Sequence, residues 1–184
     1  QLWQGGYQTI DGDYYSVENA RLYTLPDELP PIYVAASGPE SATMAGRIGD
    51  GLITTSPDVE TVNAFAKAGG KGKPTHAEMN VCWAKTEDEG LETAVKIWGY
   101  SGLPGQLSQE LALPMYFQDA AALVTQETMA KSVVAGPDPE AYHQKIKEYV
   151  DAGFEYVYLH QIGPDQDGFF EFVKRELLPK YQSS

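Results

Sequence analysis

Two stretches decide the fold: Pro31-Ile32-Tyr33-Val34-Ala35-Ala36-Ser37-Gly38-Pro39 and Ala45-Gly46-Arg47-Ile48-Gly49-Asp50-Gly51-Leu52-Ile53-Thr54-Thr55. The first is an apolar strand that runs into a small-residue turn, with proline placed to open a helix. The second is the end of that helix, a glycine-rich turn and another apolar strand that ends in hydroxyls. Strand, turn, helix and strand in this order build a parallel α/β unit with a right-handed crossover. At such strand ends, small residues let backbone N–H groups approach an anion, and the next helix points its positive end at it.

Working outward, the alternation continues. The spacing predicts strands over 32–36, 51–55, 78–85 and 155–160. Helices are expected over 39–48 (Ala42, Ala45 and Ile48 inward) and after Ser56-Pro57-Asp58, with Ser56 as cap and Val59, Val62, Phe65 and Ala66 as the apolar stripe. Thr86-Glu87-Asp88-Glu89 matches a capping box, followed by Leu91, Ala94, Val95 and Trp98 at helical spacing. Gly136-Pro137-Asp138-Pro139 opens a helix with Tyr142, Ile146, Tyr149 and Val150 on one face. The last helix, 167–178, is expected to bury Phe169, Phe170, Val173 and Leu177.

Two segments break the pattern. Residues 1–30 read as an irregular excursion, with a turn at Asp11–Tyr15 and a hairpin formed with Ala20–Pro26. Residues 100–132 read as an insertion with short helices at 116–124 and 126–131, serving either as a substrate-site lid or as a packing excursion. Four strands are half of a closed eight-stranded barrel, and an open four-stranded sheet leaves unpaired edges. The fold expected is therefore α/β, the C-terminal half of a (βα)8 barrel, with residues 1–184 forming one domain and the N-terminal half missing. The first residue is Gln1 rather than methionine, so a truncated, processed or partial product is expected.

Composition narrows the function. The formal charge is −13, from 13 basic and 26 acidic residues, and there is no basic stripe to displace counterions. Nucleic-acid and membrane-surface partners are not expected. No run of 18 apolar residues or signal-peptide pattern occurs. Cys82 is the single cysteine, so no intrachain disulfide can form, which fits a reducing cytoplasm. Cys82 reads as a buried, inert thiol. His76, His143 and His160 fall in no metal-ligand spacing, so no metal is expected, and His76 and His143 read as surface residues. Trp83 reads as core.

With these elements placed, the chain resembles the C-terminal half of a bacterial-luciferase-like barrel enzyme, and within that group the F420-dependent glucose-6-phosphate dehydrogenase family. Gly12-Asp13-Tyr14-Tyr15, Val34 to Pro39, Ala45 to Gly51 and Gln161-Ile162-Gly163-Pro164-Asp165-Gln166 carry the likeness. The resemblance implies a hydride-transfer enzyme using coenzyme F420, a deazaflavin, with the phosphate of the cofactor tail on the backbone of Ala36, Ser37 and Gly38. Some relatives have two glycines in this turn, and here Ser37 replaces the first. Thr55 matches a substrate-facing threonine. The sugar-phosphate lysine of the family falls at Asp58, a second lysine at Ser108, and an arginine at Ser132 beside Lys131. Lys131 is thus the one basic candidate for the substrate, and glucose 6-phosphate is not the expected substrate, because Asp58 would repel its dianion. His160, at a strand end, is a candidate substrate contact.

The catalytic residues of such enzymes lie in the N-terminal half, so none is assigned here and this stretch alone is expected to be inactive. The expected function is an F420-dependent oxidoreductase acting on a small organic molecule. The alternatives are an FMN-dependent luciferase-like monooxygenase and a non-catalytic half-barrel. A homodimer or a complementing N-terminal half is the expected partner.

Overall fold

The computed structural model describes residues 1–105 and 107–181, without the side chains of 108 and 109. It divides into two compact units, Gln1–Ile32 and the chain from Tyr33 onward. The first unit holds an antiparallel hairpin of β1 (Gln8–Asp11) and β2 (Ser16–Ala20). Asp11–Tyr15 is therefore the turn inside this hairpin, closed by Gly12 N–H donating to the Tyr15 carbonyl at 3.0 Å. The aromatic strand expected after that turn, paired with Ala20–Pro26, does not form.

The second unit is built on four parallel strands: β3 (Tyr33–Ala35), β4 (Gly51–Thr54), β5 (Thr75–Cys82) and β7 (Tyr156–Gln161). A two-residue strand, β6 (Val134–Ala135), adds to the end of β5. Val81 partners both Gln161 and Val134, so β6 and β7 lie on opposite edges of β5 and β6 shares the edge of β4. The order β3-β4-β5-β7, all parallel, is that of a half barrel.

Helices α1 (Pro39–Ile48), α2 (Val59–Phe65), α3 (Glu87–Trp98), α7 (Pro139–Ala152) and α8 (Gln166–Phe172) connect the strands. Their starts follow capping chemistry. Thr86 Oγ1 accepts from Glu89 N–H at 3.2 Å, Asp138 from Glu140 N–H at 3.0 Å, and Asp165 from Gly168 N–H at 2.9 Å. Gly153, at φ 100°, closes α7 in the left-handed region.

The start of α2 differs from expectation. Asp58, not Ser56, is the cap, accepting from Glu60 N–H and Thr61 N–H at 3.1 Å each and from the Thr61 hydroxyl. The Thr54 hydroxyl has already taken the Ser56 N–H at 3.2 Å. The helix begins at Val59, which leaves Val59 exposed and turns Thr61 and Phe65 inward. Ile48, Val150 and Phe170 are exposed for the same kind of reason: each lies at the margin of its stripe, and Gly46, Ala152 and Phe172 take the inward positions.

The core has two clusters. The larger lies between sheet and helices and includes Leu52, Phe65, Ala77, Met79, Val81, Tyr142, Tyr149, Phe169 and Phe172. The smaller joins Cys82, Leu91, Ala94, Val124, Met129, Val133 and Ile162. It is the anchor of the 100–132 segment, which contains α4 (Leu107–Glu110), α5 (Pro114–Ala121) and α6 (Gln126–Met129). Met129 is fully buried there, so packing holds the end of this segment. A final turn, α9 (Leu178–Tyr181), ends the described chain.

The Ala45–Gly51 string has a packing explanation. A Cβ at Gly46 would meet the Phe65 carbonyl oxygen at 2.5 Å and Ala68 Cβ at 2.9 Å, so glycine there sets how closely α1 and α2 approach. A Cβ at Gly51 would lie 2.2 Å from the Tyr33 ring. Lys73 Nζ donates to the Gly46 and Gly49 carbonyls at 3.0 and 2.8 Å and closes the C-terminus of α1. Gly46→Ala should therefore lower stability by about 1–3 kcal/mol, read as a lower urea midpoint with an unchanged slope.

Candidate active site

Alternation along the strands makes a second face opposite the core. On β5, Ala77, Met79 and Val81 are buried against the helices, so His76, Glu78 and Asn80 point the other way. Ile53 stands beside His76 and His76 beside Tyr156, while Glu78 pairs with Tyr158 and Asn80 with His160.

The lower part of this face is aromatic. His76 stacks on Tyr156 at 4.6 Å, meets Tyr33 edge-on at 4.6 Å, and shares a 2.9 Å hydrogen bond between Nδ1 and the Tyr158 hydroxyl. Its Nε2 is buried with no partner among the described residues. His76 is therefore not a simple surface residue: its ring is held by partners far away in sequence. His143 is half-buried, with Nδ1 2.9 Å from the Tyr181 hydroxyl.

The upper part, toward the C-terminal strand ends, is polar. His160 Nδ1 lies 2.9 Å from Asn80 Oδ1 and 3.4 Å from Glu78 Oε1, and the Trp98 ring stands across it at 5.0 Å and 75°. Thr55 is exposed just beyond the end of β4. Behind it, the buried Tyr149 of α7 reaches through the core, its hydroxyl 3.1 Å from the Thr55 carbonyl and 3.5 Å from that of Glu78. One phenol thus ties the end of β4 to the middle of β5. The sequence marks Trp98 and Tyr149 only as apolar helix-face residues, and it does not single out Glu78 and Asn80. The latter two are legible in the alternation with Met79 and Val81 once the strand start is placed at Thr75.

The Ala36-Ser37-Gly38 turn divides its donors. Ala36 N–H is committed to the Ile53 carbonyl at 2.9 Å, which continues the β3–β4 ladder, so it is not a free anion donor as expected. Ser37 N–H is directed at Ser41 Oγ, at 3.3 Å. Gly38 N–H has no protein acceptor among the described residues. Gly38 is extended, caps the N-terminus of α1, and has nothing within 4 Å of where a Cβ would sit. An approach to backbone N–H groups therefore exists at Gly38 and the first turn of α1, one residue further along than the expected centre.

Lys131 is exposed in the turn after α6, and among the described residues no hydrogen bond or ion pair joins it to Thr55 or His160. The side chain of Ser108 lies outside the described residues. Cys82 is buried, and desolvation pushes its thiol up to about 11, the behaviour of an inert packing thiol. Trp83 packs on Phe172, and its N–H and carbonyl are held by the Gln161 side-chain amide at 2.8 and 3.1 Å. Among the described residues, no group of three His, Cys, Asp or Glu side chains is placed to hold a metal, and no helix is long and apolar enough to cross a membrane.

The chain thus has the parallel strand order of half a (βα)8 barrel, with an open helix-start N–H at one strand end and polar groups along its inner face. Residues 1–156 match the family described as Luciferase-like monooxygenase, and the chain belongs to that family. The F420-dependent glucose-6-phosphate dehydrogenase of Beutenbergia cavernae is 34% identical over 194 residues, with 99% of this chain and 57% of the relative covered. Its counterpart in Microbacterium testaceum is 32% identical, with 98% and 57% covered. Among solved structures, an F420-dependent secondary alcohol dehydrogenase in complex with an F420-acetone adduct superposes with a TM-score of 0.80 at 24% identity, covering 96% of this chain and 57% of that one. The coenzyme F420 dependent tetrahydromethanopterin reductase from Methanopyrus kandleri gives 0.69 at 21%, covering 98% and 60%. At these identities the two structures speak to the fold. The chain spans about half the length of the curated relatives it matches.

Burial, with Glu148 and Glu78 adding, pushes the Tyr149 phenol up to about 12 from 10.0. Between these values the unfolded chain has released this proton and the folded chain retains it. The stabilisation is complete below pH 10 and declines as pH rises through the folded value. Tyr149→Phe should abolish this component, so parent and variant urea midpoints converge between pH 9 and pH 12.

Proposed function

We propose that this chain is part of an oxidoreductase that transfers a hydride between coenzyme F420 and a small organic alcohol, aldehyde or similar substrate, and that glucose 6-phosphate is not that substrate. The observation carrying the cofactor reading is the open N–H of Gly38 at the start of α1, in a chain whose full-length matches are named for F420. Coenzyme F420, when bound, supplies the hydride acceptor and donor. The residues present fit a tail anion at one point: Gly38 and the first turn of α1 offer main-chain donors, and the missing Cβ leaves the approach clear. Ser37 adds an exposed hydroxyl beside them. Thr55 and His160 offer polar contacts to a substrate along the inner face.

Asp58 supports the exclusion of a sugar phosphate. Hydrogen bonds from the Thr61 hydroxyl and from the Glu60 and Thr61 N–H groups hold its carboxyl below the usual carboxylate range. It stays charged at neutral pH and caps its own helix, three residues beyond Thr55. A phosphate dianion there meets repulsion instead of an ammonium. Among the described residues β3 and β7 are each paired on one edge, which supports pairing with further strands, supplied by another part of the protein or by a second copy.

Titration of the protein with coenzyme F420 and with FMN, followed by absorbance, tests the reading. F420 should bind far more tightly, and tighter FMN binding would favour the monooxygenase alternative. Gly38→Val should raise the F420 dissociation constant tenfold or more with the circular dichroism unchanged, and unchanged affinity would overturn the anion site. In turnover assays of the full-length protein, glucose 6-phosphate should fail where neutral alcohols or aldehydes react.

A further inference from the structure

The inner face holds a three-residue arrangement that the proposed function does not explain. His160 and Asn80 are direct cross-strand partners on β7 and β5, and Glu78 is the diagonal neighbour one step back on the same face. His160 Nδ1 faces Asn80 Oδ1 at 2.9 Å and Glu78 Oε1 at 3.4 Å. An amide oxygen can only accept, so Nδ1, hydrogen-bonded to Asn80 Oδ1, carries a proton, and the Glu78 carboxylate at 3.4 Å favours that form. The same holds whether the imidazole is neutral or charged. The neutral ring is then fixed as the Nδ1–H tautomer, and the lone pair resides on Nε2, which has no protein partner among the described residues. The Trp98 ring, crossing at 5.0 Å and backed by Tyr100 at 5.0 Å, limits rotation of the imidazole.

We propose that Glu78 and Asn80 are positioning residues that hold His160 with Nδ1 donating inward, so that Nε2 faces the inner surface as a hydrogen-bond acceptor for a hydroxyl of the bound molecule. This rests on the reading of the inner face as the substrate side. The logic is that of a carboxylate behind a histidine in other polar sites: the second partner sets which nitrogen is available. Both side chains are about two-fifths exposed, at 36% and 46%, so the arrangement contributes little to stability and its value lies in orientation. The groups facing His160 are Glu78 and Asn80 from β5 and Trp98 from α3, and Tyr158, its neighbour on the same face of β7, is engaged with His76.

Long-range proton–nitrogen correlation on histidine-labelled protein reads the tautomer directly. Nδ1 should be the protonated nitrogen of His160 in the parent, and Glu78→Gln with Asn80→Leu should move the ring toward the Nε2–H form. A parent that is already Nε2–H overturns the proposal. Titration with 2-butanol should shift His160 Nε2 and not Nδ1, whereas butanone, which has no hydroxyl, should leave Nε2 unmoved. Equal shifts with both would also overturn it. In the full-length protein with coenzyme F420 present, His160→Gln should lose at least tenfold in kcat/KM on 2-butanol while F420 affinity stays within twofold, and unchanged turnover counts against the assignment. Failure of F420 to bind the parent would overturn the proposed function instead, and the tautomer and butanol readouts would still decide the role of Glu78 and Asn80.

Discussion

Strand β5 is the constraint on which the rest depends. It is paired along both edges and has three strand partners, β4 at Thr75–Ala77, β7 at His76–Val81 and β6 at Val81–Cys82. Its period of two sends Ala77, Met79 and Val81 to the helices and His76, Glu78 and Asn80 to the inner face. A one-residue slip would exchange these sets, burying a carboxylate and exposing three apolar side chains. The register of every neighbour is tied to that choice. The core and the polar face are therefore two consequences of one alternation.

The helix side reinforces it through specific contacts. Tyr149 carries a hydroxyl through an apolar layer to the Thr55 and Glu78 carbonyls. Thr75 does similar work at the other end of β5, its hydroxyl donating to the Gly153 carbonyl at 2.9 Å and accepting from Glu155 N–H at 3.1 Å. The turn after α7 is thus bound to the start of β5 before β7 begins. Buried polar atoms with partners fix geometry more tightly than apolar packing does, because leaving either one unpaired is costly.

Much of this was legible in the sequence because the signals were local. The Gly38-Pro39 start of α1, the Thr86 cap, and Asp138 with Gly153 bounding α7 are short-range chemistry, and all lie where that chemistry places them. Strand β5 was expected three residues late, over 78–85, since Trp83 and Ala84 look like strand residues. The ladder ends at Cys82 because Gln161, from β7, takes both backbone groups of Trp83 with its side-chain amide. That substitution of amide for strand depends on a residue 78 positions away and leaves no local mark. The His76 stack has the same origin, with partners in β3 and β7. The upper polar site was half legible: His160 stands out at a strand end, whereas Glu78 and Asn80 acquire meaning only with the corrected strand start.

The charge balance of the strand ends points to how this half of the site discriminates. Acidic residues open both helices nearest the site: Glu40 in the first turn of α1, Asp58 and Glu60 at α2. At α2 the carboxylate of Asp58 already satisfies the first N–H groups, so that helix start is closed to any other anion. At α1 the cap is a glycine with no side chain to fold back, and the N–H groups stay open. Two helix N-termini at neighbouring strand ends are thereby made unequal, one capped by a carboxylate and the other by a glycine. Under the proposed function, an anion finds open N–H groups at α1 and not at α2, and the neighbouring position at the end of β4, beside Thr55, takes an uncharged group.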